Sequence, residues 1–158
     1  MVEETRTMGL TRRDVLVTGS AGLAVAVLLP PGSARASDEA DEAIELIERH
    51  TGRTLTESDR LRLEMPAVFP TGYTVPMTLE VDSPMTELDH VRQVRVFAPK
   101  NPIVEVVGFR FAPLRSVARV STRIRLAAPQ HVVAVAEMND GAFLMTKTWV
   151  DVATNGCA

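Results

Sequence analysis

The sequence is poor in cysteine and in aromatic residues, and it carries no excess of positive charge. Its 158 residues include one cysteine, one tryptophan and one tyrosine, and aromatic residues make up 4% of the chain. A single cysteine excludes an intramolecular disulfide and a cysteine-rich zinc site. The formal net charge of −3 lacks the cationic surplus typical of nucleic-acid binding, so we expect no nucleic-acid partner.

Motifs that would indicate an autonomous enzyme are also missing. The chain has no glycine-rich phosphate loop and no nucleophilic serine elbow. His50, His90 and His131 are scattered, with no cysteine or paired carboxylate at ligand spacing, which predicts surface histidines and not a metal site. We therefore expect a protein that is not an enzyme, with no catalytic residue, no metal and no cofactor of its own.

The first 36 residues have the pattern of an export signal. Residues 11–36 read TRRDVLVTGSAGLAVAVLLPPGSARA: an arginine pair, an apolar run and a small-x-small exit. The arginine pair resembles a twin-arginine address, and the apolar run is too short to span a bilayer convincingly. We predict that residues 1–36 are a twin-arginine-type signal peptide, cleaved before Ser37, and that the mature protein is periplasmic and free of the membrane. An uncleaved N-terminal anchor is the alternative.

Beyond this segment, the pattern changes from helical to strand-like. SDEADEAIELIERHTG has apolar residues at helical spacing and predicts one short amphipathic helix. From residue 61 onward, apolar and polar residues alternate with period two between proline and glycine turns. These stretches are LRLEM, YTVPMTLEV, VRQVRVFA, IVEVVGFRFAP, RVSTRIRLA, HVVAVAEM and AFLMTKTWVDVA, the last two joined by an Asp-Gly hairpin turn. They predict a mainly β fold, an immunoglobulin-like β-sandwich of about seven strands over residues 37–152.

Three of these stretches carry more specific expectations. Pro76 has no N–H to donate, which predicts that YTVPMTLEV lies at a sheet edge or contains a bulge. IVEVVGFRFAP is apolar on both faces, which is typical of a buried strand. In RVSTRIRLA, Arg119, Arg123 and Arg125 share one face, for which we favour a solvated surface over an anion site.

The only cysteine lies one residue from the C-terminus, in ATNGCA at residues 153–158. Chain ends are rarely held in place, and Asn155 and Gly156 tolerate unusual backbone angles. We therefore predict a flexible tail that ends in Cys157 and Ala158 and extends the thiol at most ~17 Å, at ~3.4 Å per residue. A free thiol titrates near ~8.5, and the last ten residues contain no Lys, Arg or His to lower that pKa. The thiol is expected to be reachable but not self-activated.

An exported protein with one cysteine has two interpretations. The chain is either a β-sandwich binding module whose Cys157 forms an intermolecular disulfide, or a protein whose thiol is kept for reactivity. The residues alone leave both open.

Two stretches and the tail resemble the SoxY family of sulfur carriers. They are GYTVPMTLEVDSPMT, then FRFAPLRSVARVSTRIRLAAPQHVVAVAEMNDGAFLM, and a cysteine in a short glycine-containing tail behind a twin-arginine leader. The resemblance implies a heterodimer with a SoxZ-like subunit and Cys157 as the residue that bears thiosulfate-derived sulfur covalently. It also implies three partners: a haem-containing conjugating enzyme, a manganese-dependent thiol sulfate hydrolase and a sulfane dehydrogenase. The haem and the metal would belong to those partners.

The tail departs from the family pattern, which typically reads Gly-Gly-Cys-Gly-Gly. Here the chain ends in Asn155, Gly156, Cys157 and Ala158, so only Gly156 and Cys157 match that pattern. Each added Cβ restricts how the segment enters a narrow channel, and the shorter end brings the terminal carboxylate closer to the sulfur. A divergent carrier that serves another pathway is therefore an alternative to thiosulfate oxidation.

Overall fold

The computed structural model describes residues 32–156, with side chains from residue 38 onward. That part of the chain contains one helix, α1 (Gly32–Thr51), and nine strands. The strands are β1 (Thr56–Glu57), β2 (Leu61–Glu64), β3 (Val68–Phe69), β4 (Val75–Val81), β5 (Val91–Phe97), β6 (Glu105–Arg110), β7 (Arg119–Ile124), β8 (Gln130–Met138) and β9 (Phe143–Val152). The predicted signal segment falls almost entirely outside the described residues, so its cleavage stays a prediction.

Two sheets form the sandwich. The larger has the order β1-β9-β8-β5-β6, with β3 also pairing with β9, and the smaller has the order β2-β4-β7. β4 buries Val75, Met77, Leu79 and Val81 on the face towards the larger sheet, as the period-two pattern predicts. β8 and β9 form the predicted hairpin, in which Gly141 adopts a φ of 91°. The mainly β, immunoglobulin-like fold class is confirmed, with β1 and β3 as two short additional strands.

The prediction that Pro76 lies in an edge strand is wrong. β4 is the central strand of the smaller sheet, paired with both β2 and β7. However, β2 runs beside β4 only from Thr78 to Val81, so Pro76 pairs with Arg123 of β7 and has no partner on the β2 side. The proline is tolerated because it lies where the central strand has a single neighbour.

The prediction of a buried strand for IVEVVGFRFAP is also wrong. β6 is the outer strand of the larger sheet, and it exposes Gly108 and Arg110. Val106, Val107 and Phe109 pack against the core but are only partly buried. Apolar residues on both faces indicate burial, yet both faces of an edge strand are incompletely covered because the strand has one neighbour.

Helix α1 covers the outer face of the larger sheet. Ile47 is fully buried there, in a second cluster with Phe97, Val133, Val135 and Met145. No helix within the described range has both the length and the apolar character that a membrane crossing requires.

Replacing Ile47 with alanine is expected to lower the free energy of unfolding by ~2–5 kcal/mol, because it leaves a cavity between α1 and the sheet. Urea denaturation of the Ile47→Ala variant measures this loss. Asp41→Ala, which alters an exposed position of the same helix, is the control and should change stability by less than ~0.5 kcal/mol. Equal stability of the two variants would show that α1 does not depend on this contact.

Candidate functional site

The segment after β9 is hydrogen-bonded to the domain as far as Gly156. Three backbone hydrogen bonds hold it: Ala153 N donates to Phe69 O (3.4 Å), Gly72 N donates to Thr154 O (2.8 Å) and Gly156 N donates to Leu126 O (2.9 Å). Gly156 is itself buried. The end of the described chain therefore lies against the loop before β4 and the segment after β7.

Two glycines make the closest contact in this region. A Cβ added to Gly72 would lie 2.0 Å from Leu126 O and 2.7 Å from Gly156 N, and a Cβ added to Gly156 would lie 2.1 Å from the carbonyl carbon and oxygen of Gly72. Side-chain carbons do not approach other atoms so closely, so neither position has room for one. Leu126 N also donates to Gly72 O at 2.8 Å. We call Gly72, Leu126 and Gly156 the C-terminal anchor.

The anchor changes how the sequence-predicted site residues are understood. The predicted tail begins at residue 153, whereas the hydrogen bonds continue to Gly156. Gly156 was selected for its backbone freedom, and the structure gives it another role, close packing against Gly72. Asn155 is exposed between these contacts. Cys157 and Ala158 lie outside the described residues, so their mobility stays a prediction.

A pair of buried amides holds the segment that carries Leu126. Asn101 and Gln130 are 8% and 1% exposed. Asn101 Nδ2 donates to Arg125 O at 2.8 Å, and its Oδ1 accepts hydrogen bonds from Ala127 N at 2.8 Å and Gln130 Nε2 at 3.1 Å. The residues on both sides of Leu126 are thus fixed by one side chain. Sequence reasoning missed Asn101, Gln130 and Gly72, because polar residues and glycines near prolines also mark ordinary turns.

Asn101→Ala is expected to lower the free energy of unfolding by ~1–3 kcal/mol, because the Arg125 carbonyl and the Ala127 N–H lose their side-chain partner and Gln130 loses one of its hydrogen bonds. It should also speed hydrogen exchange of the Gly156 N–H, whose acceptor lies on the segment that Asn101 holds. Denaturant titration and exchange mass spectrometry measure the two effects. Thr54→Ala, at an exposed position, serves as the control; an Asn101 variant that matches it in both readouts would exclude this supporting role.

The histidines do not converge on the anchor or on one another. His50 is exposed and pairs with Glu105 at 3.6 Å, and His90 is half-buried. His131 departs from the prediction of a surface histidine, because both of its ring nitrogens are buried without a hydrogen-bond partner. The centroid of its ring lies 5.1 Å from that of Trp149. Within the described part of the chain, no three His, Cys, Asp or Glu side chains are grouped to hold a metal ion.

Comparison with known proteins identifies a family. The model of the family described as "Sulfur oxidation protein SoxY" matches residues 47–157, a range that ends at the only cysteine. None of the curated proteins matches the chain.

Solved structures with the same fold include the sulfur carrier protein SoxY from Chlorobium limicola f thiosulfatophilum. It is 24% identical, with a TM-score of 0.56 over 74% of this chain and 98% of that chain. A variant of superoxide reductase (neelaredoxin) from Ignicoccus hospitalis is 14% identical, with a TM-score of 0.55 over 62% of this chain and 94% of that one. Superoxide reductase from Nanoarchaeum equitans is also 14% identical, with a TM-score of 0.50, over 61% of this chain and 99% of that one. At these identities the structural matches show the fold alone.

Proposed function

Because the chain belongs to the SoxY family, we propose that it is a periplasmic sulfur carrier that holds thiosulfate-derived sulfur covalently on Cys157. The observation that carries this proposal is the extent of the family match, which reaches the single cysteine at the end of the chain. A carrier needs one accessible thiol and no catalytic machinery of its own, and the single cysteine of the sequence is the candidate for that thiol.

The C-terminal anchor supports the proposal by fixing where the carrier segment leaves the domain. Gly156 is the last hydrogen-bonded residue described, and adjacent Cα atoms are 3.8 Å apart. The reach of the thiol is therefore short while the anchor holds. Release of the three hydrogen bonds would restore the ~17 Å reach of a segment that starts at the end of β9. Presentation to a partner enzyme would then be coupled to opening of the anchor.

The proposed chemistry places every catalytic step on a partner. Conjugation joins Cys157 Sγ to the outer sulfur of thiosulfate; the thiol loses its proton, and two electrons pass to the haem-containing conjugating enzyme. The manganese-dependent thiol sulfate hydrolase then adds water across the bond between the sulfane sulfur and the sulfonate. Sulfate leaves, and a persulfide stays on Cys157. A sulfane dehydrogenase would oxidise the outer persulfide sulfur to a sulfonate, with three waters supplying the oxygens and six electrons passing to that enzyme. A second hydrolysis by the thiol sulfate hydrolase would then release sulfate and return the Cys157 thiol.

The same proposal includes export and a second subunit. The twin-arginine pattern of residues 1–36 supports a periplasmic location, and the family supports a SoxZ-like subunit as the stable partner. The Asn-Gly-Cys-Ala ending keeps open a divergent carrier with a different sulfur cargo.

Intact mass spectrometry of the protein isolated from periplasm without reductant tests the proposed function. Sulfur, polysulfur or thiosulfonate adducts on Cys157 are the expected result. The rival function, an exported binding module, would instead give a disulfide-linked species that collapses on reduction. Turnover of thiosulfate by the purified chain alone would contradict the assignment as a carrier that is not an enzyme.

A further inference from the structure

The two sheets end on the same side of the sandwich in strands that lack a second neighbour among the described residues. β6 ends the larger sheet and β7 ends the smaller sheet. A groove of about 420 Å³ lies between them, with Ile103, Val106, Val107 and Ile124 among its apolar lining. The other edge of the larger sheet is different, because the two-residue strands β1 and β3 cover β9 there. We call the groove with its two bordering strands the open side.

Exposed apolar side chains flank the open side at both ends. Ile103, which lines the groove, is 74% exposed. Leu114 and Val117, in the connection from β6 to β7, are 69% and 77% exposed. Apolar side chains gathered around an unpaired edge are typical of a surface that another protein covers.

The open side is also cationic. The guanidinium groups of Arg110, Arg123 and Arg125 make no hydrogen bond or ion pair with any described residue, whereas Arg119 is paired with Glu80 at 3.6 Å. The one acidic residue in the groove lining, Glu105, is already paired with Arg95 at 3.6 Å. Unpaired positive charge beside an apolar groove favours an occupant that carries negative charge.

Charged or polar and apolar or less exposed residues alternate along β7, so they lie on its two opposite faces. Arg119, Ser121 and Arg123 are exposed on the outer face, whereas Val120, Thr122 and Ile124 point inward and are less exposed. A strand paired with β7 would therefore meet arginines on one face and apolar side chains of the groove on the other, and Arg123 and Arg125 also line the groove. Opposite charges placed directly across a strand pair stabilise the pairing.

A second copy of this chain would bring like charges together at this edge in the register centred on Ser121. Antiparallel pairing of β7 with itself, centred on Ser121, would place Arg119 of one copy opposite Arg123 of the other. Like charges directly opposite each other destabilise a strand pair. The arginines thus disfavour self-association through this edge.

We propose that β7 accepts an extended strand of a different protein, in which acidic residues alternate with apolar residues. The strand adds to the smaller sheet beyond β7, its carboxylates face Arg123 and Arg125, and its apolar side chains enter the groove. This inference goes beyond the proposed carrier role, because it requires no sulfur chemistry and no thiol. The groove reaches Arg125, next to Leu126 of the C-terminal anchor, so the bound strand would lie beside the exit of the carrier segment.

A peptide titration followed by NMR tests this proposal in the full mature chain carrying Cys157→Ser, so that thiol chemistry cannot contribute. The probe is acetyl-Thr-Glu-Val-Glu-Val-Glu-Thr-amide, and the matched probe has lysine in place of each glutamate. The acidic peptide should cause saturable shifts in the amides of β7 and of the groove residues, and the lysine peptide should not. Arg123→Glu should weaken binding of the acidic peptide about threefold to tenfold and allow binding of the lysine peptide.

Arg62→Glu is the control, because Arg62 is exposed on the opposite edge strand of the same sheet. It should leave the acidic peptide's affinity unchanged. Amide spectra of both variants establish that they fold. The proposal is overturned if the acidic peptide shifts no amides or shifts those of another edge, or if the lysine peptide binds equally well. It is also overturned if sedimentation shows a dimer that Arg123→Glu dissociates, since the edge would then be a self-interface.

Discussion

Replacing Cys157 with serine is expected to abolish thiosulfate oxidation in a periplasmic extract that depends on this chain. A serine hydroxyl cannot form the sulfur–sulfur bond that the proposed carrier role requires, so no later step would have a substrate. Serine differs from cysteine by one oxygen in place of one sulfur atom, and we expect the free energy of unfolding to change by less than ~0.5 kcal/mol.

The measurement is the rate of thiosulfate consumption by an extract from cells that lack the chain, supplemented with wild-type or Cys157→Ser protein. Ala158→Gly is the matched control, because it alters the neighbouring residue and keeps the thiol; it should support consumption. Restoration of the wild-type rate by the serine variant would show that the cargo is not carried on this residue.

Gly72→Ala is expected to release the C-terminal segment and to destabilise the domain by ~1–3 kcal/mol. The added Cβ would lie 2.0 Å from Leu126 O, a backbone atom that cannot move without disturbing the anchor. Hydrogen exchange at the Gly156 N–H should accelerate, and Cys157 should react faster with a maleimide once the segment is free. Denaturant titration, exchange mass spectrometry and thiol labelling measure these three effects.

Gly108→Ala is the control for the anchor variant. Its Cβ would meet no atom closer than 3.7 Å, so stability, exchange and labelling should all match the wild type. The double variant with Gly72→Ala and Gly156→Ala should lose less free energy of unfolding than the two single variants lose together, because both substitutions disrupt the same contact. Additive losses, or a Gly72 variant indistinguishable from Gly108→Ala, would mean that the glycine contact does not hold the segment.

The period-two pattern was sufficient to predict the strands that bury one face. β4, for example, alternates buried and half-buried residues along its whole length, as Val75 to Val81 indicate in the sequence. The hairpin of β8 and β9 follows from its Asp-Gly turn in the same way. Both signals are local: each depends on neighbouring residues in the chain and not on the order of strands in a sheet.

Strand order, by contrast, depends on tertiary contacts that the local pattern does not contain. Pro76 indicates a missing hydrogen bond, but only the length of β2 shows that a central strand tolerates it. β6 is apolar on both faces, but only its place at the end of the larger sheet explains why it is half-exposed. Its place beside the groove is equally hidden in the sequence.

The residues of the candidate site also differ in whether the sequence alone could indicate them. Cys157 is a candidate because of its position and the cysteine count, both of which the sequence shows directly, and its role stays a prediction. Gly72 was not predicted, because its role requires Leu126 O and Gly156 N to approach it from two other segments. Asn101 likewise becomes significant only when Arg125 and Ala127 are brought to its side chain.

The most direct test of the carrier role is the mass of the C-terminal peptide after the reduced chain is incubated with thiosulfate. The incubation is performed with and without periplasmic extract from cells that lack the chain, and fragmentation locates any added sulfur. We expect an adduct on Cys157 that forms only when the extract is present. Thiosulfate consumption that depends on the chain but leaves Cys157 unmodified at every time point would contradict the carrier role.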